Sequence, residues 1–205
     1  MIRDSSTMQR IREEVWPFHE KIETCSLLAV VAAGQASREL YVLALKLLYG
    51  IVVPFENELQ RFVLSLPSGS TLLKIVAIPW TRSHLIERDL VILGSSESEI
   101  ANLPLFSQLT ECSTTEQALA ILYLLQGSRL GGKVIASNVK SSLGLDERTG
   151  CSYFSSNGSD IGHIWGLYKR YIETYLDIKS EKLVIESVIN NLSIIEEWFK
   201  WDSVQ

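Results

Sequence analysis

The stretch TTEQALAILYLLQGSRLGGKVI, Thr114 to Ile135, sets the frame for the whole chain. Thr114 with Gln117 three residues on is a capping box, so a helix begins here. Eight consecutive apolar residues follow, Ala118 to Leu125, and a helix that is apolar all round belongs in the interior. The same helix then runs through Gly127, Ser128, Arg129, Leu130, Gly131 and Gly132 without a proline, and apolar residues resume at Val134 and Ile135. Each glycine in a helix costs about 1 kcal/mol relative to alanine. Something must offset that. Gly127 and Gly131 are four apart and face the same way, leaving a bald stripe where a flat or bulky group can lie against backbone. Close helix-to-helix packing is the alternative use of the same stripe.

Outward from this helix the sequence stays helical. A first helix is expected from about Ser6 to Glu23, with Ile11, Val15, Phe18 and Ile22 as its apolar stripe and Pro17 bending it or starting a new turn. A short apolar helix spans Leu27 to Ala33 and stops at Gly34. Ser37 caps a long helix through Leu40, Leu43, Leu47, Leu48 and Ile51, which Pro54 should kink. Pro67, Ser68 and Gly69 form a turn, followed by a short apolar segment up to Pro79. Thr81 to Leu93 is amphipathic and ends at Gly94, a left-handed stop. Ser95 to Thr110 and Gly144 to Ser159 have loop composition, and two amphipathic helices, near Asp160 to Ile178 and Ser180 to Trp201, finish the chain. No alternating strand pattern recurs. The expectation is an all-α fold with a single domain over residues 1–205.

Hydrophobic residues make up 46% and charged residues 21% of the 205, an ordinary globular mix. Lys and Arg number 19 against 24 Asp and Glu, and a net charge of -5 argues against nucleic acid, which needs a clustered basic excess. The longest apolar runs, Leu27 to Ala33 and Ala118 to Leu125, fall short of the roughly 20 residues that span a bilayer, so no membrane insertion is expected. The polar N-terminus lacks a signal-peptide core, which points to a cytoplasmic protein. Cys25, Cys112 and Cys151 are odd in number and widely spaced, as expected of reduced, half-buried thiols.

His19 and Glu23 are four apart on the first helix, so the carboxylate can accept from one imidazole nitrogen while the other points inward. A surface pair of this kind is usually structural. Arg12, two turns before His19, shares its face, and a histidine with a basic neighbour suits a ligand that is both metal-containing and anionic. His84 reads as solvent-facing or capping. His163, beside Gly162 and close to Trp165, is a weaker candidate ligand. Trp198 and Trp201 read as a core or partner face.

Taken together, these features resemble the haem oxygenases, most closely their bacterial biliverdin-forming branch associated with bacteriophytochromes. Leu122 to Gly132 looks like the distal haem helix, and Ile11-Arg12 through His19 to Glu23 like the proximal one. Gly34-Gln35, Ser37-Arg38, Tyr41, Leu48-Tyr49 and Pro54-Phe55-Glu56 match a further segment in order. So do Arg82, Glu87 to Leu90 and Leu93-Gly94, then Tyr153-Phe154, Gly158, Trp165 and Tyr168-Lys169. Ser128 stands where mammalian-type members carry aspartate.

The resemblance implies a helical bundle with haem, both cofactor and substrate, between a proximal helix and a glycine-kinked distal helix. His19 would be the iron ligand and Glu23 its partner, while Arg12, Tyr123 and Lys169 would contact haem, Arg12 and Lys169 through its propionates. Gly127, Gly131 and Gly132 would let backbone approach haem so closely that sterics select the carbon attacked by dioxygen, and Ser128 would help hold the water that delivers a proton. The implied reaction converts haem to biliverdin, iron and carbon monoxide. No flavin or nicotinamide fingerprint is present, so electrons would come from a ferredoxin-like or flavodoxin-like donor, expected to dock near Arg129, Lys133 and Lys140. A bacteriophytochrome would be a receiver of the biliverdin. A haem-binding or haem-sensing protein that does not degrade its ligand is the alternative.

Overall fold

Helix starts in this chain are fixed by two kinds of cap, local hydroxyls and distant carboxylates. The computed structural model describes residues 6–73, 80–109, 111–155 and 161–201, and among these nine helices and no strand are found. They are α1 (Thr7–Cys25), α2 (Leu27–Ala32), α3 (Arg38–Ser65), α4 (Ser83–Ile92), α5 (Glu97–Ala101), α6 (Thr115–Leu143), α7 (Ser152–Ser155), α8 (Ile161–Tyr175) and α9 (Ile178–Trp201). The architecture is all-α, built around one continuous hydrophobic core.

Ser6, Ser37 and Thr114 cap α1, α3 and α6, each accepting from the backbone N–H three residues on. The Thr114/Gln117 capping box is present in both directions. Gly94 follows α4 with φ of 107°, a left-handed conformation only glycine adopts readily. Pro17 and Pro54 lie inside α1 and α3, and each helix continues through its proline as one element. Two stretches read as loop contain helix. Ser96 and Glu99 form a second capping box that starts α5, and α7 lies between Gly144 and Ser159. The apolar residues just before Pro79, together with Thr110, Gly158, Ser159 and Asp160, lie outside the described residues.

The distant caps come from buried or clamped acids. Glu56 of α3 accepts from the N–H groups of Arg82 and Ser83, the latter at 3.1 Å, and from the Ser83 hydroxyl at 2.6 Å, closing the start of α4. Asp89 of α4 accepts from the N–H groups of Ser152 (2.7 Å) and Tyr153 (2.8 Å) and so caps α7. Glu173 of α8 accepts from Thr7 N–H (3.1 Å) and Met8 N–H (2.9 Å) at the start of α1. Carboxylates suit these positions because helix N-termini carry unpaired N–H groups and a partial positive charge. Burial pushes the Glu56 and Asp89 carboxyls above their ordinary range, against the pull of the donors.

α6 is the central helix. It packs against α9, α7, α2, α3 and α8, while α1 packs against α9, α2 and α8. α1 and α6 share no extended seam of their own. Trp198 is core: its indole N–H donates to the Leu47 carbonyl at 2.8 Å, and its ring lies against Gly50, where a β-carbon would come within 2.5 Å of it. Cys112 and Cys151 are buried free thiols, and burial pushes Cys112 up to about 12.

Candidate functional site

The site is built from three helix faces, on α1, α6 and α8. On α1, Arg12, Trp16, His19 and Glu23 recur at spacings of four, three and four, one stripe along the helix. The Arg12 guanidinium lies 6.0 Å from the Trp16 ring centroid, and Trp16 stacks on His19 with centroids 5.8 Å apart. His19 Nδ1 is 3.5 Å from Glu23 Oε1, buried, and closes no hydrogen bond. The expected pairing is therefore a contact of opposite polarity rather than a formed bond. Trp16 was not singled out from the sequence, although its place between Arg12 and His19 on one helical face is the signal that could have found it.

On α6, Tyr123, Gly127 and Gly131 follow one another at i, i+4 and i+8. A β-carbon built at Gly127 or at Gly131 meets nothing within 4 Å. The stripe therefore opens onto free space and does not serve close packing between helices. Gly132 is on the buried side of the same helix. The Ser128 hydroxyl donates to the Leu125 carbonyl at 3.0 Å and also engages the buried phenol of Tyr153. Arg129, expected on the surface, is buried and donates to Gln126 Oε1 at 3.0 Å. It lies on the inward face that carries Leu122, Leu125 and Gly132, so it is not part of an exposed basic patch. Lys133 and Lys140 are exposed.

α8 supplies Trp165 and Lys169. With Arg12, Glu13 and Trp16 of α1 and Tyr123 of α6 they line a pocket of about 730 Å³ that also reaches the first turn of α1. A volume of this size holds a cofactor-sized ligand. Two cations, Arg12 and Lys169, one carboxylate, Glu13, and the Tyr123 phenol share the wall with the Trp16 and Trp165 rings. Burial raises the Tyr123 phenol above its ordinary value while Arg12 pulls it down. His19 and the glycines are not in the pocket wall. They continue the same two stripes beyond it, His19 after Trp16 and Gly127 after Tyr123.

Behind the distal stripe a polar frame is buried. Arg82 donates to the Tyr153 carbonyl and lies 4.7 Å from the Tyr153 ring centroid. Loss of hydration lowers the Arg82 pKa, while Glu56 and Tyr153 act to raise it. This frame was visible in the sequence only as motif residues, with no role assigned. His84 and His163 are both exposed, His163 in the first turn of α8. Among the described residues no three His, Cys, Asp or Glu side chains converge as a metal cage, and no helix is long and apolar enough to cross a membrane.

Comparison with known proteins gives a consistent picture. A family model described as Heme oxygenase matches residues 5–199. No curated protein sequence matches the chain significantly. Among solved structures, heme oxygenase from Leptospira interrogans superposes with a TM-score of 0.78 at 18% identity, covering 96% of this chain and 100% of that one. Heme oxygenase-1 from the cyanobacterium Synechocystis sp. PCC6803, in complex with heme, gives 0.75 at 15% identity, covering 96% and 92%. The heme oxygenase of Neisseria meningitidis, in its NO-bound and CO-bound forms, gives 0.68 at 17% identity, covering 95% and 92%.

Proposed function

The chain belongs to the haem oxygenase family, and from that premise we propose that it binds haem between α1 and α6 and opens it to biliverdin, releasing iron and carbon monoxide. The observation that carries this reading is the open glycine stripe: Gly127 and Gly131 face space a β-carbon would fill without contact. Two further features fit the same ligand. The buried, unbonded Nδ1 of His19 lies beside Glu23, and the cations Arg12 and Lys169 both line the pocket.

Bound haem would supply the iron that activates dioxygen and would itself be the substrate. His19 would ligate through the nitrogen not turned to Glu23, and the Glu23 carboxylate together with the Trp16 ring would fix the imidazole plane. Arg12 and Lys169 would pair with the propionates and Tyr123 would stand beside them, setting the rotation of the ligand in its slot. The bare backbone at Gly127 and Gly131, with Gly132 beneath, would bring α6 close enough that shape selects the carbon attacked. Ser128 Oγ, held by the Leu125 carbonyl and by Tyr153, is the hydroxyl available to orient water and pass a proton there. Electrons would arrive from a ferredoxin-like or flavodoxin-like donor at the exposed Lys133 and Lys140. A cytoplasmic single-domain enzyme that hands biliverdin to a bacteriophytochrome is the setting this reading implies.

The test is a titration of the purified chain with haemin, followed by reductant in air. Saturable binding with an imidazole-ligated spectrum, then conversion to a green pigment that chromatographs as biliverdin, is the expected result. A haem spectrum that persists under reductant would make the chain a non-degrading haem binder, the alternative that serine at position 128 keeps open. No binding at all would remove both.

A further inference from the structure

Aromatic residues recur along α8 from the pocket to its last residue. Trp165 and Tyr123 belong to the pocket wall, with ring centroids 5.7 Å apart. Trp165 stacks on Tyr168 at 5.3 Å with planes 15° apart, and Tyr123 is 6.3 Å from the same phenol ring. Tyr171 follows Tyr168 at i+3, a neighbouring position on a helix. Tyr171 in turn pairs with Tyr175 at 4.6 Å. Burial changes along this line: Tyr168 is 1% exposed, Tyr171 9%, and Tyr175, at the last residue of α8, 53%. The rings thus form two contacting pairs on α8, Trp165–Tyr168 at the pocket and Tyr171–Tyr175 toward solvent, linked by the i, i+3 step from Tyr168 to Tyr171.

The hydroxyls divide the roles. Tyr168 donates to the Leu119 carbonyl at 2.9 Å, a partner that cannot take its proton, so this buried ring can bridge an electron but not hold a phenoxyl radical. Tyr171 has its hydroxyl 3.5 Å from that of Thr71, an exposed residue, and Tyr175 reaches water directly. A phenol can lose its proton at that end.

We propose that Trp165, Tyr168, Tyr171 and Tyr175 form an exit for oxidising equivalents from the pocket. A one-electron oxidant produced when dioxygen or peroxide is activated at the proposed haem site between α1 and α6, which borders the pocket, takes one electron from the Trp165 indole. Tyr175 or Tyr171 returns that electron through the Tyr168 ring and gives its phenolic proton to solvent. The hole then rests on a surface phenoxyl radical. A small reductant of the thiol or ascorbate class restores the phenol by supplying one electron and one proton. This goes beyond the haem-cleavage reading, and its central step can be tested without haem.

The experiment is pulse radiolysis of the full-length chain with azidyl radical, which oxidises indole in preference to phenol. It is run on the wild type, Trp165→Phe, Tyr175→Phe and the Tyr171→Phe/Tyr175→Phe double variant, each checked for fold by circular dichroism. The expected result is a concentration-independent phase in which indolyl absorption decays as phenoxyl absorption grows. That phase should be lost in Trp165→Phe and in the double variant. An unchanged phase in the double variant, or no concentration-independent phase in the wild type, overturns the proposal. Should Trp165→Phe fail to fold, Tyr175→Phe decides, since its side chain is half in solvent: the surface radical signal must fall. A second arm mixes the haemin-loaded chain with peroxide and reads the radical by freeze-quench electron paramagnetic resonance. Failure to bind haemin would defeat the functional reading and leave the azidyl result to decide this one.

Discussion

The Trp16 ring lies against the His19 imidazole, with centroids 5.8 Å apart and planes within 20°. Trp16 is 45% exposed and contributes little to the core, so its value lies in what it does to the histidine. Replacing His19 by alanine should abolish the imidazole-ligated haemin spectrum, and free imidazole should restore part of it. Trp16→Ala should keep ligation but broaden the spectrum and weaken affinity, because the ring plane loses one of its two restraints. Absorption and resonance Raman spectra of both variants check this; a wild-type spectrum in His19→Ala would move the ligand elsewhere.

Gly131 and Gly50 should respond to the same substitution with opposite sign. Gly131→Ala places a β-carbon in open space and gains helix propensity, so the haem-free chain should become more stable by about 1 kcal/mol. Gly131→Leu should leave that stability intact while haemin affinity falls. Gly50→Ala instead drives a β-carbon to 2.5 Å from the Trp198 ring and 2.6 Å from the Pro104 carbonyl, an overpacking that costs roughly 1–3 kcal/mol. Thermal melts without haemin, followed by haemin titrations, separate the two effects.

Acid should loosen the first turn of α1. Burial alone would raise the Glu173 carboxyl, but the N–H groups of Met8 and Thr7 and nearby Arg10 outweigh it and hold it below its ordinary value. A depressed folded-state pKa gives stability that is present above the unfolded value of about 4.3 and lost as pH falls through the folded one. Glu173→Gln should flatten that acid limb. The side chain is largely exposed, so the effect is expected to stay under about 1 kcal/mol. Melting curves taken downward from neutral pH measure it, and an unchanged acid limb in the variant would count against the clamp.

Charge reversal at Lys133 and Lys140 should slow reduction by an acidic protein donor and leave ascorbate-driven turnover nearly intact, with added salt reproducing the loss in the wild type. Arg129 should not behave this way. It is buried beside Gln126, so Arg129→Glu should lower the melting temperature and impair both reductants alike. Comparing the two reductants for each variant checks the assignment.

What could be read from the chain in advance was what its local chemistry encodes. The Thr114/Gln117 box, the Ser37 cap and the stop at Gly94 are each set within a few residues, and all three are found in place. Ser96 and Glu99 carry the same signal inside a stretch whose composition reads as loop. The glycine stripe was ambiguous between packing and an open slot until the space around Gly127 and Gly131 was visible. Tertiary partners left no local trace: that Arg129 turns inward, that Glu56 caps α4 and that Asp89 caps α7 depend on which helices meet. Periodicity assigns a residue to a face, and only the assembled bundle says what the face meets.

Glu173 reaches α1 from 166 residues further along the chain than Thr7, and Glu181 does the same for Arg10 from a separation of 171. The first turn of α1 is also one wall of the pocket. During synthesis, then, the first turn of α1 waits for partners made more than 160 residues later. Until α8 and the start of α9 have left the ribosome, the pocket has no finished wall and neither Lys169 nor Trp165 to close it. A chain truncated before position 173 keeps His19, the glycine-bearing helix, Trp165 and Lys169 but loses the clamp on the first turn of α1, so it should bind haemin more weakly than the full chain.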